Sequence, residues 1–232
     1  MSGLQVEPAP VRIEETNLRM SVKRIWPRPM GSAKLGAILL VLGSLFSFGG
    51  VADAQEAVLQ LDAAKTTVEF ALGDVLHTVH GTFKLRSGSI HFDLTSGKAG
   101  GEVIVDATSG ESGNSSRDRK MHAEILQSEK YPDITFAPAE VSGHVAAEGD
   151  SQIELRGDFK LHGESHEISV RAAVHIDAPR GNDSAGAELT SDAAFPLRYT
   201  KWGVKNPSTF LLRVSDTAQI KVHVAGQLGA AR

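Results

Sequence analysis

Apolar and polar residues alternate along most of this chain, and that period of two restricts the fold more than any other feature. In the run QIELRGDFKL, Ile153, Leu155 and Phe159 share one face, while charged residues occupy the other. This pattern is typical of a half-buried β-strand. The same pattern recurs in ISVRAAVHI. Between the two runs, Leu161-His162-Gly163-Glu164 predicts a hairpin turn.

Comparable stripes recur along the chain and predict roughly eight to nine strands. They begin at Val68, Val79, Ile90, Val103, Ile134, Leu189 and Ile220. A turn is expected at Arg86-Ser87-Gly88, where the second stripe gives way to the third. The connections are short and contain glycine, and they lack the helices that a parallel sheet needs. The sequence therefore favours an all-β fold, an antiparallel barrel or sandwich.

The alternation is interrupted once, by the charged segment SGNSSRDRKMHAEILQSEKYPDITF. Ser115 or Ser116 can cap a helix there. Met121 and Ile125 are four residues apart and would share its buried face. Pro132 is expected to end the helix before the strand pattern resumes. We predict one short helix inserted between two strands, crossing or flanking an open end of a barrel.

The N-terminus has the features of a secretory signal peptide. A basic region containing Lys23, Arg24, Arg28 and Lys34 precedes the apolar run Leu35–Gly50 and then Ala52-Asp53-Ala54. This order predicts cleavage after Ala54 and export to the periplasm. A membrane anchor is disfavoured because the run falls short of the roughly 20 apolar residues of a span. Residues 1–54 are thus assigned to an N-terminal extension and signal peptide, with Met20 or Met30 as alternative starts.

The remaining residues, 55–232, are enough for one domain with a sizeable core. Residues 1–54 hold six of the 24 basic and four of the 28 acidic residues, so the mature chain has a net charge of −6. No basic patch stands out, which argues against nucleic acid or an anionic membrane surface as the main partner. The chain has no cysteine, so packing alone must stabilise it.

Catalytic and metal-binding signatures are weak. The nine histidines are scattered, and His91, His175 and His223 have outward positions on their strands. No G-x-S-x-G elbow and no cysteine nucleophile occurs. We therefore predict that the protein is not an enzyme and that it holds neither a metal nor a cofactor.

Four segments, in this order, make the chain resemble the YceI-like, polyisoprenoid-binding family. They are VHGTFKLRSGSIHFD, an Arg-Asp pair followed by a helix and EKYP, LRGDFKLHGESHEISV, and LRVSDTAQIKVHVAG. The similarity extends from about Val58 to Ala225. It implies a lipocalin-like antiparallel β-barrel of about eight strands, exported and holding a polyisoprenoid or isoprenoid-quinone-type lipid for transport, storage or stress response.

Six phenylalanines have inward positions in this pattern: Phe70, Phe83, Phe92, Phe136, Phe159 and Phe195. They can line an apolar tunnel or fill a dry core, and large apolar residues are more often simply core. The family resemblance favours the tunnel. Small inward residues, such as Gly81, Gly157, Ala172 and Ala193, leave room or relieve crowding at bends. The alternative is a solid-core barrel that acts as an interaction protein without an interior ligand.

At the barrel mouth, the resemblance transfers Arg117 and Asp118 as the family's motif pair. The family helix has histidine two residues after the aspartate, whereas this chain has Lys120 there and His122 two residues later. Tyr199 and Trp202 are expected either to close one end over a ligand or, for Trp202, to fill the barrel floor. An incompletely closed barrel would also leave sheet edges that can pair in a homodimer.

Overall fold

The computed structural model describes residues 56–74, 77–177, 186–209 and 213–230. The predicted signal peptide and its cleavage site lie outside these residues. None of the described helices is long and apolar enough to span a bilayer.

The described residues contain nine antiparallel strands. These are β1 Glu56–Leu61, β2 Thr67–Gly73, β3 Thr78–Asp93, β4 Ala99–Glu111, β5 Asp133–His144, β6 Gly149–Leu161, β7 Glu164–Asp177, β8 Ala187–Leu197 and β9 Ala218–Ala230. Strands β2 to β9 follow one another around a closed barrel, because β2 pairs with both β3 and β9. The predicted all-β, lipocalin-like barrel of about eight strands with one short helical insertion is confirmed.

Strand β1 was not predicted, and it shares one barrel position with β2. Both strands lie between β3 and β9, β1 towards one end of the barrel and β2 towards the other. At the junction, the buried Thr66 places its Oγ1 3.3 Å from the amide nitrogen of Ala225 and 3.4 Å from the carbonyl oxygen of the same residue. The Thr66 hydroxyl thus continues the hydrogen-bond ladder where the backbone turns away.

The turn predicted at Arg86-Ser87-Gly88 is wrong, because β3 runs through these residues as one strand of 16 residues. Its pairing with β4 shifts there, from Leu85 opposite Val105 to Ser87 opposite Ile104, which leaves Arg86 as an extra, bulged residue. A bulge reverses the inward and outward order of side chains, so in sequence it resembles a turn. The Arg86 guanidinium forms ion pairs with Asp106 and Asp133 on the outer surface.

The inserted helix begins one residue earlier than predicted. Helix α1, Ser115–Lys120, is capped by Asn114, whose side-chain oxygen accepts hydrogen bonds from the amides of Ser116 and Arg117 at 3.1 and 3.0 Å. It continues as the π-helical turn Met121–Leu126 and ends at Gln127, which has a left-handed φ of 48°. The helix therefore ends before Pro132, through backbone geometry at Gln127.

Antiparallel order places the connections between strands at two ends. The connections 74–77, 112–132, 162–163 and 198–217 lie at one end, which we call the mouth; the other end is the closed end. The predicted hairpin turn at His162-Gly163 is confirmed and belongs to the mouth. Two apolar clusters separate in the same way. The closed-end cluster contains Leu59, Leu61, Leu85, Val174, Ile176 and Leu189. The mouth cluster contains Leu161, Leu197, Tyr199, Trp202, Val204 and Ala218.

Candidate functional site: an apolar cavity opening at the mouth

The barrel contains a cavity of about 770 Å³ that opens at the mouth and reaches down to Leu61 and Leu85 of the closed-end cluster. Its wall includes five of the six inward phenylalanines: Phe70, Phe83, Phe136, Phe159 and Phe195. Met121, Ile125 and Leu126 of the helical insertion complete the wall on one side. The solid-core alternative is therefore wrong for the part of the interior that the cavity occupies.

Two of these phenylalanines lie against the wall because glycines face them. A Cβ atom at Gly81 would collide with the ring of Phe70. A Cβ atom at Gly110 would lie 2.5 Å from the Phe83 ring and 2.9 Å from the terminal methyl carbon of Met121. The Phe70 and Phe83 rings also contact each other, with centroids 5.4 Å apart. Each ring thus occupies the space that a glycine leaves at the wall, and the centre stays open.

Small residues widen the cavity on the opposite strands. Ala172 of β7 and Ala193 of β8 are directly opposite each other in the ladder, and both line the cavity. Gly157 has a different role, because a Cβ there would collide with the backbone of Ala137 and Pro138 at the irregular pairing of β5 with β6. Of the small inward residues predicted, the two alanines therefore provide the room.

Phe92 and Trp202 lie outside the cavity wall, so their predicted lining role is wrong. Phe92 packs on the closed-end cluster, because it lies at the far end of β3, which runs from the mouth to the closed end. Trp202 is 4% exposed in the mouth cluster, and its indole N–H donates a 2.9 Å hydrogen bond to the Phe159 carbonyl. Its ring meets Phe159 edge to face. Trp202 is thus core, at the mouth rather than on the floor.

Tyr199 lines the cavity near the opening. Its hydroxyl donates a 2.5 Å hydrogen bond to the Ser215 carbonyl, which fixes the connection 198–217. Burial, with a smaller contribution from the Asp216 charge, raises the pKa of Tyr199 to about 12. Tyr199 is consequently a neutral hydrogen-bond donor at physiological pH.

Arg117 and Asp118, the motif pair transferred from the family, form no ion pair with each other. Both bind Ser112: the Arg117 Nε donates to its hydroxyl at 2.7 Å, and an Asp118 oxygen accepts from its amide at 2.9 Å. Arg117 still borders the cavity, whereas Asp118 lies behind it. These contacts fold the start of the insertion back over the end of β4.

Lys120 and His122 have separate roles. The two ring nitrogens of His122 form hydrogen bonds, one with the Ser128 hydroxyl at 2.9 Å and the other with the Gly110 carbonyl at 2.8 Å. The second bond anchors the insertion to β4. Lys120 borders the cavity opening, with no carboxylate within 4.0 Å among the described residues. The sequence missed Asp74 and His77, which also border the opening, with the Asp74 carboxylate 3.3 Å from the His77 Nδ1. Nothing in the sequence marked these two residues as part of the site.

The remaining histidines lie mostly on the outer surface. His175 contacts Asp150 at 2.7 Å and His223 contacts Asp192 at 2.8 Å, each across neighbouring strands. Their predicted outward orientation is confirmed. Within the described ranges, no three histidine, aspartate or glutamate side chains are grouped as a metal site would require.

Known proteins share both the sequence pattern and the barrel. The sequence model of the YceI-like domain matches residues 59–226. The chain belongs to the YceI-like family. A UPF0312 protein of Pseudomonas putida is 26% identical over 193 residues, covering 81% of this chain and 94% of its own. One of Vibrio cholerae is 26% identical over 188 residues, covering 80% of this chain and 94% of its own.

Solved structures share the fold of this chain. A polyisoprenoid-binding domain from Saccharophagus degradans superimposes with a TM-score of 0.57 at 14% identity, covering 74% of this chain and 98% of its own. BcnA of Burkholderia cenocepacia gives 0.53 at 18% identity, covering 71% and 98%.

The barrel closes, yet some strands are paired over part of their length only. Each of the nine described strands has a neighbour on both sides, but β7 pairs with β8 only from Ala172 to Asp177, and β4 pairs with β5 only from Val103 to Asp106. The homodimer stays a prediction.

Proposed function

We propose that this protein is an exported lipid-binding protein that holds a polyisoprenoid or isoprenoid-quinone-type lipid inside its barrel. The observation that carries the proposal is the apolar cavity of about 770 Å³, which falls within the roughly 300–1,000 Å³ range of small-molecule sites. The YceI-like family and the polyisoprenoid-binding relative from Saccharophagus degradans support the same ligand class.

The energetics favour a long apolar chain. Burial of each methylene-sized group contributes about 0.8 kcal/mol, so one five-carbon unit contributes about 4 kcal/mol. Association costs about 4–15 kcal/mol in lost motional freedom. Several isoprene units are therefore needed for tight binding. The polar end of such a lipid would lie near Arg117, Lys120 and Tyr199 at the opening.

Binding rather than catalysis is part of the proposal. The charged groups that border the cavity, namely Asp74, His77, Arg117 and Lys120, belong to the mouth connections, and the interior behind them is lined mainly by aliphatic and aromatic side chains. Transport, storage and a stress response are the roles that such a protein would serve. Export to the periplasm rests on the signal-peptide pattern, and N-terminal sequencing of the protein from periplasmic extracts tests it.

The direct test is native mass spectrometry of the protein expressed with its signal in a bacterial host. A discrete added mass, released by organic solvent and identified as an isoprenoid, is the expected result. A protein that stays unliganded even after prolonged incubation with isoprenoid quinones would overturn the proposal.

A matched pair of variants tests the position of the ligand. Ala193→Phe places a ring in the cavity and is expected to lower isoprenoid retention by about tenfold or more, since several buried methylene-sized groups are lost. Ala194→Phe changes the adjacent, outward-facing residue and should retain the lipid as the parent does. Circular dichroism checks the fold of both. Equal retention in two folded variants would exclude the cavity as the binding site.

A further inference from the structure

The fold gathers basic side chains at the mouth that the sequence scatters over four segments. The described residues of the four mouth connections carry eight Lys/Arg and five Asp/Glu, a net charge of +3. All other described residues together carry eight Lys/Arg and eighteen Asp/Glu, a net charge of −10. The connections at the cavity opening are therefore net positive and the rest of the described barrel is net negative, with the acids Glu111, Asp133 and Glu164 next to the connections at the strand ends.

Ion pairing increases this asymmetry. Of the eight cations in the described mouth residues, only Arg198 has a carboxylate within 4.0 Å, that of Asp216. The unpaired cations are Arg117, Arg119, Lys120, Lys130, Lys201, Lys205 and Arg213. Two mouth acids are engaged locally, Asp74 with His77 and Asp118 with Ser112. Elsewhere, half of the eight cations form ion pairs: Lys65, Arg86, Arg156 and Arg171.

Direct contacts show that the mouth connections adjoin one another. The Ser215 amide donates to the Gly73 carbonyl at 2.9 Å, at the point where β2 leads into the connection 74–77. The Tyr131 and His162 rings have centroids 4.4 Å apart, which joins the helical insertion to the β6–β7 turn. The cations therefore lie around one opening.

We propose that the mouth docks onto an anionic lipid bilayer, with the cavity opening towards the headgroups. Unpaired cations that surround the opening of an apolar cavity match a surface of anionic headgroups with acyl chains behind them. A lipid could then pass between bilayer and barrel without crossing bulk water. This inference goes beyond lipid binding itself, and it reverses the sequence-based prediction against an anionic membrane surface.

The docking would be electrostatic and peripheral. Leu94 is the exposed large apolar side chain among the described residues, and it lies at the closed end. Among the described mouth residues, Tyr199 and Trp202 are buried and Tyr131 is half-buried against His162, so this part of the chain presents no fully exposed tyrosine or tryptophan ring for the stacking of nucleic-acid bases. Attraction between exposed charges is screened over about 10 Å at 0.1 M salt, so docking should weaken as salt rises.

The test compares two triple charge reversals of the full-length exported protein. The mouth variant carries Arg119→Glu, Lys201→Glu and Lys205→Glu, none of which lines the cavity. The control variant carries Lys84→Glu, Lys98→Glu and Lys221→Glu, which are exposed outside the mouth and have no ion-pair partner among the described residues. Both variants have the same net charge, so only the position of the charge differs.

Co-sedimentation with vesicles of phosphatidylglycerol and phosphatidylcholine measures docking, with pure phosphatidylcholine as reference. Each basic residue near an anionic surface strengthens binding by about fivefold, so the mouth variant should partition about a hundredfold less than the parent. The control variant should lose far less. Equal losses in both variants, or equal binding to the two vesicle types, would overturn the proposal.

A second measurement separates docking from lipid binding. Uptake of a soluble fluorescent isoprenoid analogue from solution should be the same in the mouth variant and the parent. If the parent takes up no analogue yet binds phosphatidylglycerol vesicles through the mouth, the proposed function fails and the docking surface stands. If the parent takes up the analogue but does not bind the vesicles, the docking surface is excluded and the proposed function stands.

Discussion

The closed end and the mouth half of the barrel are built from the same alternating strands, yet one is packed and the other is hollow. At the closed end, Leu59 of β1 packs in one cluster with Ile176 and Leu189, so large aliphatic side chains meet one another, while Leu61 and Leu85 of the same cluster border the cavity. In the mouth half, the wall instead presents phenylalanine rings, two of which lie against glycines, and the paired alanines of β7 and β8. The difference shows that the partner of a large side chain decides between core and cavity.

The two halves also differ in role: one stabilises the fold, and the other provides the surface for a ligand. The closed end supplies stability, because tightly packed side chains contribute most of the free energy of folding. The mouth half retains apolar surface that no protein atom covers, and this surface is what a ligand would bury. Predictions that compare the two halves test this division directly.

The largest expected effect comes from removing a closed-end leucine. Leu189 is 4% exposed and does not border the cavity, so Leu189→Ala should lower the free energy of unfolding by about 3 kcal/mol, through lost burial and a new void. Leu155→Ala removes the same atoms from the cavity wall. It should cost about 1 kcal/mol, because that side chain already borders empty space.

Urea unfolding followed by circular dichroism gives both values for the lipid-free protein. Equal costs for the two variants would mean that the mouth half is packed as tightly as the closed end in solution. The comparison between the two halves would then be wrong. Addition of an isoprenoid should raise the cost of Leu155→Ala only.

The sequence predicted those features that depend on local alternation. The strand from Gln152 to Leu161 and the hairpin turn after it are found as expected, and so is the helical insertion that carries Met121 on its buried face. Each of these depends on residues that are close in sequence. Local periodicity is therefore sufficient for most of the barrel.

Features that depend on pairing between segments far apart in the chain were not predicted from the sequence. The bulge at Arg86 resembles a turn, because both interrupt the alternation in the same way, so the sequence did not show that β3 carries Phe92 to the closed end as one strand. The contact of Phe70 with Gly81 requires that β2 and β3 be paired in the right register. The basic mouth likewise arises only after four separate connections meet at one end.

A smaller effect is expected at the boundary between the two halves. Thr66→Val keeps the shape of the buried side chain but removes the hydroxyl that contacts the backbone of Ala225. The Ala225 carbonyl keeps its hydrogen bond from the Asp62 amide, but the Ala225 amide loses its acceptor, which should lower the free energy of unfolding by about 1–2 kcal/mol. The neighbouring exposed Thr67→Val is the control and should change stability by no more than about 0.5 kcal/mol.

Hydrogen exchange locates the effect of the Thr66 variant. The Ala225 amide should exchange faster in Thr66→Val than in the parent, whereas amides near Ile176 in the closed-end core should keep their protection. Loss of protection throughout the barrel would mean that the two halves unfold as one unit, so that the boundary has no separate role.

The smallest effect concerns pH and the outer surface of the closed end. The hydrogen bond from His175 to the Asp150 carboxylate, at 2.7 Å, raises the pKa of His175 above its ordinary value of 6.5, with further help from the negative charges of Asp150 and Asp177. The folded state therefore binds this proton more tightly than the unfolded state does. Its contribution to stability is complete below pH 6.5 and is lost as the pH rises through the folded-state pKa.

Asp150→Asn should return the pKa of His175 towards 6.5 and flatten this part of the pH dependence of unfolding. An NMR titration of the His175 ring measures the pKa, and urea unfolding on either side of it measures the stability. Isoprenoid uptake should not change in this variant, because His175 points away from the interior. A change in uptake without a change in stability would show that the outer surface of the closed end communicates with the cavity, against the division between the two halves.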